Sequence, residues 1–377
     1  MPNTLSVYDP LFYATEAITA LRNSLGLARA VFRGYDKNPQ ERGSVINVPV
    51  PSTFSAQNAP STAQDLTAGS VAITLDQWKE LKFALTDKEL SFTGEQIIAD
   101  HIRPAAYALA NQMDGSLAAL AKSIPWYHDV ATTAVVADVV SARKILFDNK
   151  VPLDPARLYM MVDSDMEADL LNNAAFTQWQ GSGPTGEAAQ IAGYLGTRFG
   201  MNIFASQNVS THTMGTASVT ALAVVGNTAA GATTITLDAV AVTGTLVPGD
   251  TFVIAGNTQR YVVTNTVTAA ANAFVGVAIS PPLAAAVLDN AVVTASLDNH
   301  SAAVAFHRDA FALATAPLSR LGAQLGAQIE TVTDVDSGIS LRSRLYYEGN
   351  SSAVHVALDV LYGVKVLDPN KAVRLRN

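Results

Sequence analysis

Apolar and polar positions change their spacing several times along the 377 residues, and each change marks an element. Near the start, Phe12, Ala17, Ile18, Leu21, Leu25 and Leu27 fall at roughly helical intervals, which predicts a helix. RGYDKNPQERG, Arg33 to Gly43, then reads as an exposed connector, so residues 1–45 look like an N-terminal arm more than a core element. SVINVPVP starts to alternate at Val45, but Pro49 and Pro51 forbid a central strand. VAITLDQWKELKFAL alternates again through Val71, Ile73 and Leu75. The stretch between them, STFSAQNAPSTAQDLTAGS, is rich in Ser, Thr, Ala and Pro, so residues 46–90 read as a long two-stranded projection. Such a hairpin is marginal alone and needs a partner surface.

The clearest periodicity lies in residues 91–124, where FTGEQIIADHIRPAAYALANQMDGSLAALAKS runs from Phe92 to Ser123. Thr93 with Gln96 fits a capping box. Ile98, Ile102, Ala105, Leu109, Met113, Leu117 and Leu120 step by three or four and mark one apolar stripe. The expectation is a spine helix of about 45 Å, kinked at Pro104 because the ring displaces a carbonyl.

Residues 125–215 mix the two periods. TAVVADVVSARKILFDNK predicts a helix with Val136, Val140 and Phe147 on one face, and RLYMMVD, Arg157 to Asp163, a buried strand. SDMEADLLNN begins another helix, and GYLGTRFGMNIFASQNV reads as strand, turn, strand. Across 216–297 the pattern becomes short alternating runs with turns, as in GATTITLDAVAVTGTLVPGDTFVIAG. Its only charged residues are Asp238, Asp250, Arg260 and Asp289, and its aromatics, Phe252, Tyr261 and Phe274, suit a core. A β module follows from this, with barrel and sandwich both open. Strand character resumes in SAAVAFHRDAFALATAPL within 298–335. Residues 336–377 predict two strands around a turn at GNSS and a break at Pro369-Asn370.

Charge changes the picture in one respect. Charged residues are 15% of the chain, against about 25% in ordinary domains, which fits either a surface buried against partner subunits or simply an Ala/Thr-rich protein from a GC-rich genome. The net charge of −8 excludes nucleic-acid binding by bulk electrostatics. Arg22, Arg29, Arg33, Lys37 and Arg42 nevertheless outnumber Asp36 and Glu41 locally, and Lys371, Arg374 and Arg376 make the last residues basic. With no cysteine, disulfide and thiolate chemistry are excluded. The N-terminus lacks signal-peptide character, and no apolar run is long enough to span a membrane.

Candidate chemistry fails residue by residue. His101, His128, His212, His300, His307 and His355 are scattered, with no HExxH, and His300 and His307 should point to opposite faces of one strand. Asp163, Asp165, Glu167 and Asp169 resemble a cation site, but Ser164 and Glu167 read better as a capping box with acids in a first turn. GSGPTGE, Gly181 to Glu187, has phosphate-loop glycine spacing, yet Glu187 stands where a lysine must be. SARK, Ser141 to Lys144, has no companion motif, and TDVDSG, Thr333 to Gly338, lacks the remaining calcium ligands. The expectation is no enzyme, no metal and no cofactor.

The plan of arm, projection, spine helix and α/β domain interrupted by a β module resembles the major capsid proteins of tailed bacteriophages. Three passages carry the resemblance. RGYDKNPQERGSVINVPVPSTF looks like the approach to an E-loop, and GEAAQIAGYLGTRFGMNIFASQNV, Gly186 to Val209, is similar to an A-domain passage. VALDVLYGVKVLDPNKAVRL, Val356 to Leu375, is similar to the C-terminal signature of coat proteins like that of the Salmonella short-tailed transducing phage, which also carry an inserted β domain.

The resemblance implies an α+β chain of the Hong Kong 97-type capsid fold. Its parts would be an N-arm (1–45), an E-loop hairpin (46–90), a P-domain spine helix (91–124), an A-domain (125–215 and 298–335), a β insertion domain (216–297) and P-domain strands (336–377). The implied function is a structural virion protein that self-assembles, as pentamers and hexamers, into an icosahedral shell around double-stranded DNA. Implied partners are a separate scaffolding protein, since the chain starts close to its arm, a portal protein and non-specifically packaged DNA, with no membrane. Assembly would take place in the host bacterial cytoplasm. Arg29, Arg33, Lys37, Trp78 and Lys79 are the subunit-interface candidates, the first three as contacts for acidic neighbours, DNA or scaffold. No lysine lies between Lys37 and Lys79, so the E-loop tip should form no lysine cross-link. A tail or decoration protein, or a hydrolase with a β binding appendage, stays open as an alternative.

Overall fold

The structure is a computed structural model and describes residues 10–33, 43–50, 58–59, 69–178, 189–218, 220–319, 327–334 and 338–377. Helix α1 (Pro10–Ser24) and a single turn, α2 (Leu27–Ala30), precede strands β1 (Val45–Val50), β2 (Gly69–Thr74) and β3 (Gln77–Thr86). Helix α3 (Asp87–Ala118) leads to β4 (Tyr127–Asp129), α4 (Val136–Asp148), β5 (Leu158–Val162), α5 (Ser164–Asn172) and α6 (Ala174–Thr177). Next come β6 (Gly196–Arg198), β7 (Met201–Ala205), β8 (Thr211–His212), β9 (Leu222–Val224), β10 (Thr234–Asp238) and β11 (Thr245–Leu246). Then follow β12 (Thr251–Ile254), β13 (Arg260–Val263), β14 (Val267–Thr268), β15 (Ala273–Ser280) and β16 (Val292–Ser296). The remaining strands are β17 (His300–His307), β18 (Phe311–Ala316), β19 (Gln328–Thr333), β20 (Ser340–Glu348), β21 (Ala353–Val366) and β22 (Ala372–Arg376). The chain is thus mixed α+β, and no described helix is long and apolar enough to cross a membrane.

Two compact units emerge, Met1–Asp114 with Ala312–Leu367, and Gly115–Phe311 with Asp368–Asn377. In the first, β21 is the centre of a sheet ordered β18-β21-β20-β19, with β3 also paired to β21. Directly opposed residues share a face, so Val356, Leu358, Val360 and Tyr362 line one side and are buried. Helix α1 packs on β19 and β20 and buries Tyr13, Ala14, Ala17, Ile18 and Leu21. Within the expected arm, residues 10–33 therefore pack one apolar face on a sheet, while Leu11, Thr15, Thr19 and Arg29 stay exposed. Asp114 ties the next turn down, accepting from the backbone N–H of Gly26 (2.6 Å) and Ala28 (2.9 Å). The connector over 34–42 lies outside the described residues.

Two element boundaries differ from expectation. Helix α3 begins at Asp87, so Thr93 and Gln96 sit inside it rather than at its start. The chain passes directly from β3, which ends at Thr86, into α3 at Asp87. The run from Val71 to Leu85 is two strands, broken at Leu75 and Asp76, because β2 pairs with β1 while β3 joins the sheet through β21.

The second unit holds a sheet ordered β4-β22-β17-β5-β7-β6, with β8 paired to β17. Beside it β10-β15-β13-β12-β16-β9 close into a barrel. Each has its own apolar cluster. The sheet and α4 gather Val139, Leu146, Met160, Phe176 and Ile203, and the barrel gathers Phe252, Tyr261, Phe274 and Val277. The three barrel aromatics are core, as expected. In α4 the buried side is Val139, Ala142 and Leu146, whereas Val140 and Phe147 are exposed. Both sets are apolar at helical spacing, so periodicity alone could not choose between them. The α5 cap also shifts by one residue, with Asp163 rather than Ser164 accepting from Met166 N at 2.9 Å.

Candidate functional site

Strands β1 and β2 form an antiparallel ribbon from Val45↔Thr74 to Val50↔Gly69, and among the described residues neither pairs with any other strand. Six residues at about 3.3 Å each make it roughly 20 Å long. Ile46, Val48, Val71 and Ile73 share one face by register, while Asn47, Ala72 and Thr74 face out and are exposed. Its base is anchored. Val48, Ile73 and Leu75 are buried with Ala312, Ala314, Ala316 and Leu361. Past Val48, the described side of the ribbon is exposed at Pro49, Gly69 and Ser70.

Gly363 makes that seating feasible. A Cβ there would lie 2.2 Å from the Thr74 carbonyl oxygen, a backbone atom that cannot step aside alone. Gly363→Ala is expected to cost about 1–3 kcal/mol as overpacking. Urea unfolding together with hydrogen exchange at 45–48 and 71–74 checks this, since the loss should be greatest at the ribbon base.

The sheet face carrying Trp78 is charged and open. Asp359 is wholly buried at its centre, accepts from Arg342 Nε (3.0 Å) and Nη2 (2.6 Å) and Trp78 Nε1 (3.2 Å), and forms an ion pair with Arg344 Nη2 at 3.2 Å. Arg344 also pairs with Glu80 at 2.9 Å, and the Arg342 guanidinium lies 5.7 Å from the Trp78 ring centre. Trp78 is 42% exposed above this network. Lys79, opposite Val360, falls on the other face of the same strand, so these neighbouring candidates present to different sides. Arg29 is exposed, with Nη2 donating to the Arg22 carbonyl, and Arg33 is half-buried. Lys37 lies outside the described residues. The candidates do not converge on one point, and the Arg342–Asp359–Arg344 cluster was not singled out by sequence. The alternation of Arg342, Arg344 and Asp359 in otherwise apolar strands was the available signal.

The chemical candidates stay apart. Asp163, Asp165 and Glu167 line an open cleft of about 640 Å³ with Ser206, Gln207 and Ser301, at the ends of the parallel strands β5 and β7. Asp163 there serves as a helix cap. Lys144 of SARK pairs with Asp148 at 2.7 Å on α4. GSGPTGE lies outside the described residues, as does the middle of TDVDSG. Among the described residues no three His, Cys, Asp or Glu side chains are grouped to hold a metal ion.

Histidines do meet in one place. His212 and His300 are directly opposed where β8 pairs with β17, with ring centroids 5.1 Å apart. Asp250 of the barrel takes His212 Nε2 at 3.1 Å, and Arg374 Nη1 donates to the Gly249 carbonyl at 3.1 Å. Gly249 has φ +108 and stands so close that a Cβ would reach within 2.7 Å of the His212 ring. Nearby, the Tyr127 ring lies between the guanidinium groups of Arg260 (4.2 Å) and Arg376 (3.6 Å). Arg376 Nη2 donates to Ser296 Oγ at 2.9 Å.

No protein-family model matches the chain, and no curated protein matches it. A solved structure from Mycobacterium phage Che8 is similar over 93% of this chain and 90% of its own, at 16% identity and a TM-score of 0.49. The capsid structure of Cyanophage P-SCSP1u is similar over 92% and 89%, at 12% identity and a TM-score of 0.45. The capsid of an empty GTA particle is similar over 94% and 90%, at 10% identity and a TM-score of 0.46.

Proposed function

We propose that this chain is the major capsid protein of a tailed bacteriophage, with the Hong Kong 97-type organisation that its sequence resembles. In this reading copies associate as pentamers and hexamers into an icosahedral shell around double-stranded DNA, with a separate scaffolding protein and a portal protein as partners. The observation that carries it is the β1–β2 ribbon, which has a seated base, exposed residues past Val48 and no further strand partner among the described residues. Isolated two-stranded hairpins are marginal in water, so a neighbour supplies what the ribbon lacks. A chain with only 15% charged residues suits repeated burial of its surface. The barrel, with its separate core, serves as the inserted β domain, and Trp78 and the bases at Arg29, Arg33 and Lys37 serve as subunit contacts.

Expression with a scaffolding protein encoded beside it, followed by negative-stain electron microscopy, tests the reading. Uniform closed shells are expected. Dispersed subunits alone would refute it. Replacing residues 50–69 with Asn-Gly should abolish shells while leaving the thermal transition within a few degrees of the parent. Shells of unchanged size from that variant would remove the ribbon argument.

A further inference from the structure

The chain leaves the sheet for the barrel at β8 and returns at β17, so the facing pair His212 and His300 forms the neck between them. Both side chains are buried, at 4% and 6% exposure. His300 Nδ1 lies 2.9 Å from the Asp298 carbonyl, which can only accept. Nδ1 therefore carries the proton, and the neutral ring leaves Nε2 as a bare acceptor. That Nε2 is fully buried with no hydrogen-bond partner.

The groups facing it make a second proton unwelcome. From β8 comes His212, held to Asp250 of the barrel, and from β22 come Arg374 and Arg376. Arg376 is matched by Asp129, but Arg374 is wholly buried and bonded through Nη1 alone, its Nε and Nη2 having no partner. The oxygens of Asp250 already serve His212, Gly215 N and Val247 N.

We propose that this neck is an acid-operated latch: a proton on His300 Nε2 releases the barrel from the sheet while each keeps its own core. A charged N–H created there would have no acceptor, and the cheapest relief is to part β8 from β17 and admit water. The separate apolar clusters of barrel and sheet let this happen without general unfolding. Burial foremost holds the imidazole pKa down to about 4, the Asp298 carbonyl opposes this, and Arg374, His212 and Arg376 add to it. The native state thus binds fewer protons than the unfolded chain between pH 6.5 and about 4. Stability of the neck is complete above 6.5 and falls roughly tenfold per unit as pH drops through that window.

Hydrogen exchange on the intact protein between pH 7 and 4, corrected for intrinsic rates, tests the latch. Protection at 211–212, 249–250 and 300–302 should fall before protection at 158–162 and 274–279. In His300→Asn, whose amide still donates to Asp298 but does not titrate, the neck should stay protected across the window. Loss at the same pH in both proteins, or retention down to pH 4 in the parent, would overturn the proposal. Should the variant fail to fold, the imidazole titration of His300 followed by NMR in the parent decides, since a midpoint above 6 excludes the latch.

Discussion

Replacing Asp359 by alanine is expected to remove about 3–5 kcal/mol of stability, since breaking a buried ion pair strands the partner charge. The carboxylate has no exposed surface, takes bonds from Arg342 and Trp78 and forms an ion pair with Arg344. Arg342 is itself buried, and its remaining bond, Nη1 to the Ser319 carbonyl at 2.7 Å, does not neutralise it. Arg344 suffers less, because Glu80 remains beside it. The pairings also stitch the sheet crosswise, since Glu80, Asp359 and Arg342 are directly opposed on β3, β21 and β20. Urea titration read by tryptophan fluorescence should show the midpoint fall, with Trp78 reporting the site. A loss below about 1 kcal/mol would mean that both arginines swing out to water and that the cluster contributes little.

Phe274→Ala should produce the other large effect, about 3–5 kcal/mol for emptying a core phenylalanine site. Phe274 is wholly buried on β15, directly opposite Leu237 of β10, inside a cluster that includes Tyr261 and Val277. A barrel this small has few other side chains to collapse into the gap. All three tryptophans, Trp78, Trp126 and Trp179, lie outside β9–β16. Calorimetry should therefore show an early transition, which fluorescence registers through Trp126, whose ring centre lies 5.9 Å from the Arg260 guanidinium of β13. A single transition seen equally by both would show that the barrel and its sheet melt as one.

Much of the fold was written in local periodicity. The strand at Leu158–Val162, the β6–β7 hairpin, the aromatic barrel core and the turn between β20 and β21 follow from short local patterns. Where two local solutions were equally good, only tertiary packing decided. Val136, Val140 and Phe147 form as regular a stripe as Val139, Ala142 and Leu146, and the choice rested on which side the sheet lay. The α1 stripe read as an arm because β19 and β20, its partners, lie some three hundred residues away. The same limit hid the two charged clusters. Arg342 and Asp359 belong to neighbouring strands, while His212, Asp250, His300 and Arg374 come from four separate elements and meet only when the neck is formed.

The order of strands within the second unit also sets a timetable. Strand β4 pairs in parallel with β22, and β22 alone separates it from β17, so residues 127–129 wait for residues 372–376 before they have a neighbour in the sheet. During synthesis the barrel, whose strands all fall between Leu222 and Ser296, can close as soon as it clears the ribosome. The sheet cannot. Its slowest contacts span about 250 residues, and loop closure of that length delays folding far more than it weakens the product. At the neck, the barrel that carries Asp250 can close before Arg374 is made, so it is a template on which the last strand docks.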